Sequence, residues 1–127
     1  MTDDLKNEVI WQEIKRKIEY GILNDTYLAT QKLPSLRQLT KIYQCGNSTM
    51  LKILNVMCKE GTLMNKARIG YFVKPFVKEE LLEKYSHAWF KQIDDAIKEA
   101  YMLGISKEQL EQILVEKVSD IYSQKED

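Results

Sequence analysis

The chain has 127 residues, of which 44% are apolar and 30% charged, with 19 basic and 19 acidic side chains balancing to zero. That is enough for one ordinary domain, or a small domain with an added helical element. It leaves no room for a second domain of about 150 residues. No basic stretch followed by an apolar run opens the sequence, and no apolar run approaches the ~20 residues of a membrane helix. A cytoplasmic chain with no membrane partner is therefore expected.

The charge is divided unevenly. Residues 1–74 carry 12 Lys/Arg and 7 Asp/Glu, an excess of five positive charges; residues 75–127 carry 7 and 12, an excess of five negative ones. A basic half that meets an anion and an acidic half that does not would produce this division. Two cysteines, Cys45 and Cys58, and one histidine, His87, match no metal-ligand or redox spacing, so no metal and no cofactor are expected. There is no glycine-rich phosphate loop and no nucleophile with an identifiable base, which argues against an enzyme.

From about Asp4 to Tyr20, Leu5, Val9, Ile10, Ile14 and Ile18 share one side of a helix, with Trp11 alongside. Gly21 is read as its stop. Ile22 to Lys32 holds the turn formers Asn24, Asp25 and Thr26 and has no sustained period, which predicts a loop. Pro34 biases the residues before it toward an extended form, and Ser35 with Gln38 spells an S-x-x-Q capping box. The second helix is predicted from Leu36 to about Tyr43, burying Leu36, Leu39 and either Ile42 or Tyr43. A short turn, Gln44 to Asn47, follows. Ser48 to Lys59 then places Met50, Ile53, Leu54 and Met57 on one helical face, with Asn47 as its expected cap and Gly61 as its end.

Two short helices across a tight turn make a helix-turn-helix. Thr62 to Lys74 is β-favouring at both ends with Lys66, Arg68 and Gly70 at its centre, which predicts a hairpin with a basic tip, a wing. After Pro75, Tyr85, Trp89, Ile93, Ile97 and Tyr101 recur every four residues, so a long helix is predicted from Val77 to about Leu103. Gly104 breaks it. Ser106 and Gln109 form a second capping box for a last helix through about Tyr122, with Leu110, Ile113, Leu114, Val118 and Ile121 on one face. These two helices carry more apolar face than they can cover on each other. The predicted fold is mainly α with a small β-hairpin: a winged helix-turn-helix over residues 1–75, followed by a two-helix C-terminal dimerisation element over 76–127.

The order of LPSLRQL, NSTMLKIL, KEGTL and GYFV resembles the GntR family of transcription regulators, and the short two-helix C-terminal part is similar to its YtrA-like subfamily. The resemblance implies a homodimer that binds double-stranded operator DNA as a repressor, with transporter operons as frequent targets. It assigns Ser35 and Arg37 to the DNA backbone, Ser48, Thr49 and Lys52 to the groove-facing side of the recognition helix, and Gly70 to the wing. The chain departs from the family pattern in three places. Gly46 and Asn47 stand where a serine and an arginine are usual. Arg68-Ile69-Gly70 replaces Gly-Arg-Gly. The loop from Ile22 to Lys32 is longer than usual.

The residues themselves agree with that assignment. Arg37 falls in a first helical turn, where free amides and the positive dipole end already favour a phosphate; the bland alternative is a surface arginine paired with a carboxylate. Asn47, Ser48, Thr49 and Lys52, with Asn55 as a further candidate, point away from the apolar face and can reach bases or phosphates, while Ser48 and Thr49 could equally serve the helix start. Lys66 and Arg68 could enter a narrow minor groove or serve only solubility. Leu82, Tyr85, Trp89, Ile93, Ile97, Leu110, Leu114 and Val118 are assigned to a dimer interface; a small-molecule pocket at Tyr85 and Trp89 is the lesser reading. The rival function is a helical module that binds a protein partner through the C-terminal aromatic stripe. No small-molecule effector is indicated.

Overall fold

The structure is a computed structural model that describes the backbone of residues 2–125 and the side chains of residues 10–124. The chain runs α1 (Thr2–Leu23), α2 (Leu36–Tyr43), α3 (Asn47–Lys59), β1 (Leu63–Lys66), β2 (Gly70–Val73), α4 (Val77–Met102) and α5 (Lys107–Lys125). It divides into two compact units, Met1–Lys84 and Tyr85–Asp127. The first unit thus runs past residue 75 and takes in the first turns of α4, because Val77 and Leu81 are buried within it.

In the first unit the core is built from four faces. Ile14, Ile18 and Ile22 of α1, Leu39 of α2, Met50, Ile53, Leu54 and Met57 of α3, and Leu63 and Val73 of the hairpin are all buried. The four α3 residues are the ones the sequence periodicity selects. On α1, Leu5 and Val9 lie outside the residues whose side chains are described, and Ile10 is 45% exposed. The predicted stripe is therefore carried by Ile14 and Ile18 and extended by Ile22. Burying each such side chain contributes about 1.5–3 kcal/mol against leaving it in water.

Gly21 does not stop α1, as its sequence context suggested; the helix continues to Leu23. A Cβ at Gly21 would lie 2.6 Å from the ring of Tyr27, so the glycine is there for close approach, not for termination. The helix ends where the Asn24 amide still donates to the Tyr20 carbonyl (2.9 Å) and Asp25 turns to φ +67°.

α2 starts as the sequence indicates. The Gln38 amide donates to Ser35 Oγ at 3.2 Å, and the Ser35 amide donates to Gln38 Oε1 at 2.9 Å. Leu39 is fully buried, Leu36 and Tyr43 are half-buried, and Ile42 is exposed, so Tyr43 is the residue that turns inward. α3 differs at its first residue. Gly46 takes the N-cap position with no side-chain cap bond, and Asn47 is already inside the helix, which corrects the expectation that Asn47 caps it.

The hairpin pairs Leu63 with Val73 through Lys66 with Gly70, antiparallel. A third line of chain joins it, from a stretch whose sequence predicts only loop. Lys32 bridges to Phe72, the Leu33 amide donates to the Tyr71 carbonyl (2.8 Å), and the Thr30 amide donates to the Val73 carbonyl (2.8 Å).

The second unit comprises the rest of α4 and α5. Gly104, at φ +79°, separates them, and the second capping box forms as the first does: Ser106 N to Gln109 Oε1 at 2.9 Å and Gln109 N to Ser106 Oγ at 3.1 Å. Among its described residues only Ala100 is buried. No described helix is long and apolar enough to cross a membrane.

Candidate nucleic-acid interface

α2 and α3 pack on each other, with Leu39 buried on the first and Met50, Ile53, Leu54 and Met57 on the second, and a three-residue turn joins them. Gln44 supplies the left-handed step of that turn at φ +53°, and its neighbour Cys45 donates its amide to the Thr40 carbonyl at 3.1 Å. Burying the inner face of α3 fixes what the outer face shows. Asn47, Ser48, Lys52 and Asn55 are exposed and Thr49 is half-buried. Ser48, Lys52 and Asn55 recur at steps of four and three, so they form one row along the helix.

Two members of that row are held in place by residues that sequence spacing does not tie to the site. Lys52 Nζ lies 4.8 Å from the centre of the Trp11 ring, a cation–π contact from α1 to α3. The Tyr71 hydroxyl of β2 reaches Asn55 Oδ1 at 3.5 Å. Trp11 was legible only as an aromatic beside the apolar stripe; nothing local to it names Lys52 as its partner.

Arg37 is exposed in the first turn of α2, on a helix start already closed by the capping box. Among the described residues no carboxylate pairs with it, whereas Lys15–Glu60 (2.7 Å), Lys78–Asp25 (2.8 Å) and Lys84–Glu19 (3.3 Å) are ion pairs of the same unit. Ser35 is exposed beside it, its hydroxyl accepting the Gln38 amide.

At the wing, Arg68 is exposed at φ +68° in the turn closed by the Ile69 amide on the Lys66 carbonyl (3.0 Å). Lys66 folds back, its Nζ 4.4 Å from the Phe72 ring centre. Gly70 has φ +139°, a backbone conformation that L side chains rarely adopt, and that is what calls for glycine there; the nearest atom to a Cβ, Lys32 Cε at 2.8 Å, is the movable end of its side chain.

Burial pushes the thiols of Cys45 and Cys58 above the usual cysteine range, which keeps both protonated. No cluster of three or more metal-ligating side chains occurs among the described residues.

The residues assigned to an interface between copies divide by unit. Leu82 belongs to the first unit and is exposed. In the second, Trp89 (53%), Ile93, Ile97, Leu114 and Val118 are exposed, and Tyr85 and Leu110 are half-buried.

No protein-family model and no curated protein sequence matches the chain. Solved structures do. A GntR family transcriptional regulator from Listeria monocytogenes superposes with a TM-score of 0.67 at 21% identity, over 84% of this chain and 93% of that one. A transcriptional regulator from Oenococcus oeni gives 0.67 at 15% identity, over 86% and 90%. BusR of S. agalactiae, solved in complex with its busA-promotor DNA, gives 0.55 at 20% identity, over 90% of this chain and 57% of that one. The chain thus has the fold of GntR-type regulators, a helix-turn-helix with a two-stranded wing followed by two further helices.

Proposed function

We infer that the chain is a GntR-type transcription regulator of the short, YtrA-like kind, which binds duplex DNA through the outer face of α3. The observation that carries this reading is the row Ser48, Lys52 and Asn55 on α3, flanked by an Arg37 that has no carboxylate partner among the described residues. A helix presenting such a row can enter the major groove, where Lys reads guanine edges, Asn reads adenine, and Ser serves bases or phosphates. Arg37 and the α2 amides address the sugar–phosphate backbone, and Arg68 at the wing addresses the minor groove. None of this needs catalytic groups, and the reading is of a binding protein without cofactor.

In the same reading the protein acts as a homodimer joined through α4 and α5, represses transcription, and recognises a palindromic operator with half-sites about 34 Å apart, one turn of B-DNA. The exposed apolar residues Trp89, Ile93, Ile97, Leu114 and Val118 support the dimer, since an apolar surface of that kind is usually covered. The GntR resemblance adds a transporter operon as the class of target, and cytoplasmic residence follows from action on DNA.

The test is a mobility shift of the purified chain on genomic fragments, including its own upstream region, at two salt concentrations. The expected result is a discrete complex on one fragment whose log affinity falls with log salt at a slope of about −0.9 per neutralised phosphate. Arg37→Ala should lower affinity for all fragments alike, by about 1 kcal/mol or more, and Asn47→Ala should change the order of preferred fragments. Arg37→Ala with unchanged affinity at low salt would remove the assignment of the α2 start to the DNA backbone. A chain that binds no fragment but retains a protein partner through its aromatic stripe would establish the interaction-module reading instead.

A further inference from the structure

One cleft of the first unit has no part in the DNA-binding reading. It lies between the segment 26–34 and the outer face of α2, measures about 920 Å³, and is lined by Tyr27, Leu28 and Ile42 on its apolar side and by Lys32, Lys41 and Gln38 on its polar side. Its size is that of small-molecule sites, about 300–1,000 Å³, and its makeup is theirs too: apolar walls with a few polar groups.

Both walls are fixed before any ligand arrives. The 26–34 segment is tied to β2 by the Thr30 and Leu33 amides (2.8 Å each) and by Val73 N to the Gln31 carbonyl (3.2 Å). Tyr27 is anchored by its amide on the Gly21 carbonyl (3.0 Å), by its ring against Gly21, and by its hydroxyl, 2.7 Å from that of Tyr43 on α2. Burial and that hydrogen bond hold the Tyr43 phenol far above its ordinary range.

Two features say what such a cleft takes. Leu28 and Ile42, large aliphatic residues on its two walls, remain 51% and 55% exposed. The lining also contains two lysines and no carboxylate, and among the described residues neither lysine is ion-paired. Apolar walls, with lysines and no carboxylate in the lining, complement a molecule with a hydrocarbon body and one anionic head. A DNA phosphate has the charge but not the body; a neutral hydrocarbon has the body but leaves the lysines unanswered.

We propose that this cleft is a binding site for a small amphipathic anion, such as a carboxylate with a medium-length hydrocarbon chain, and that its occupation weakens DNA binding. The site stands on the cleft alone; the coupling rests on the proposed function. Gln38 connects the two, because it lines the cleft while its side chain closes the α2 cap on the Ser35 amide. Next to it in sequence is Arg37. An anion that engages Gln38 or lies beside this turn opposes a phosphate at the same helix start, and by linkage DNA must weaken the anion to the same extent.

The experiment is calorimetric titration of the full chain with octanoate, octanol and acetate, repeated on Ile42→Ser and Lys41→Gln. Both positions are exposed, and circular dichroism checks that each variant folds. Octanoate should bind saturably at one site per chain, with octanol and acetate each weaker by about tenfold or more. Ile42→Ser should weaken octanoate about tenfold and Lys41→Gln several-fold. Absence of saturable octanoate binding, equal affinity for octanol, or unchanged affinity in Ile42→Ser would overturn the site. On a mobility shift, octanoate should lower DNA affinity of the wild-type chain several-fold and leave Ile42→Ser unaffected; bound octanoate without that change would overturn the coupling. Octanoate binding by a chain that shifts no DNA would support the site and overturn the DNA reading, so the two failures are distinct.

Discussion

From Ile14 to Leu81 the first unit buries large apolar side chains from every one of its elements, whereas from Tyr85 onward Ala100 alone is buried among the described residues. The sequence patterns of the two stretches do not differ in kind. Met50, Ile53, Leu54 and Met57 make a helical stripe, and so do Tyr85, Trp89, Ile93 and Ile97. Both units even open a helix with the same S-x-x-Q box in the same geometry. What differs is cover: α3 meets α1, α2 and β1 of its own chain, while the second unit has only two helices to supply all its packing. A periodic apolar stripe therefore shows that a surface is built to be covered, and leaves open by what.

Core truncation gives the largest contrast. Leu54→Ala should cost about 2–5 kcal/mol, because a fully buried side chain leaves a cavity as well as a lost transfer energy. Ile97→Ala, at an exposed position, should cost less than about 1 kcal/mol in the isolated chain and more as protein concentration rises, if copies cover each other. Urea unfolding at two protein concentrations reads both; equal costs at high dilution would break the comparison. Next in size is association itself. Trp89→Asp should shift the sedimentation equilibrium from dimer to monomer by about 2 kcal/mol or more, and a wild-type chain that sediments as monomer at all concentrations would leave the α4 stripe without its proposed partner. Smallest are the caps. Ser35→Ala and Ser106→Ala each remove the same hydrogen bond, worth about 1 kcal/mol. Loss at Ser35 should lower the global stability of the first unit, while loss at Ser106 should show as faster amide exchange in the first turn of α5 alone.

Much of the fold was legible because its signals are local. Capping boxes, a Gly-bearing turn and 3.6-residue periods name α2, α3, α4 and α5 to within a few residues. The misreadings have no single cause: some roles are set by a residue close by in sequence and some by chain farther off. Gly21 looks like a terminator until the Tyr27 ring lies against it. Asn47 looks like a cap, yet Gly46 takes that place in extended backbone at φ −79°. Lys32 and Leu33 have no strand-like run of their own; they pair with β2 because Pro34 keeps the chain before it extended. The candidate site divides in the same way. The exposed row on α3 follows from the face that α3 buries, but the attachment of Lys52 to Trp11 joins residues 41 positions apart, and the cleft at Leu28 and Ile42 exists only once the 26–34 segment is tied to the hairpin.

The backbone at Arg68 bears on how this protein can be altered. A left-handed conformation costs a non-glycine residue roughly 1–2 kcal/mol, and at the third position of a tight turn glycine would relieve it. Folding alone thus disfavours arginine there. The hairpin tip is a place where the most stable sequence and the most cationic one are different sequences, and selection of variants for thermal tolerance would drift toward glycine and shed the charge. A library screened for stability and a library screened for DNA affinity would part company first at this residue.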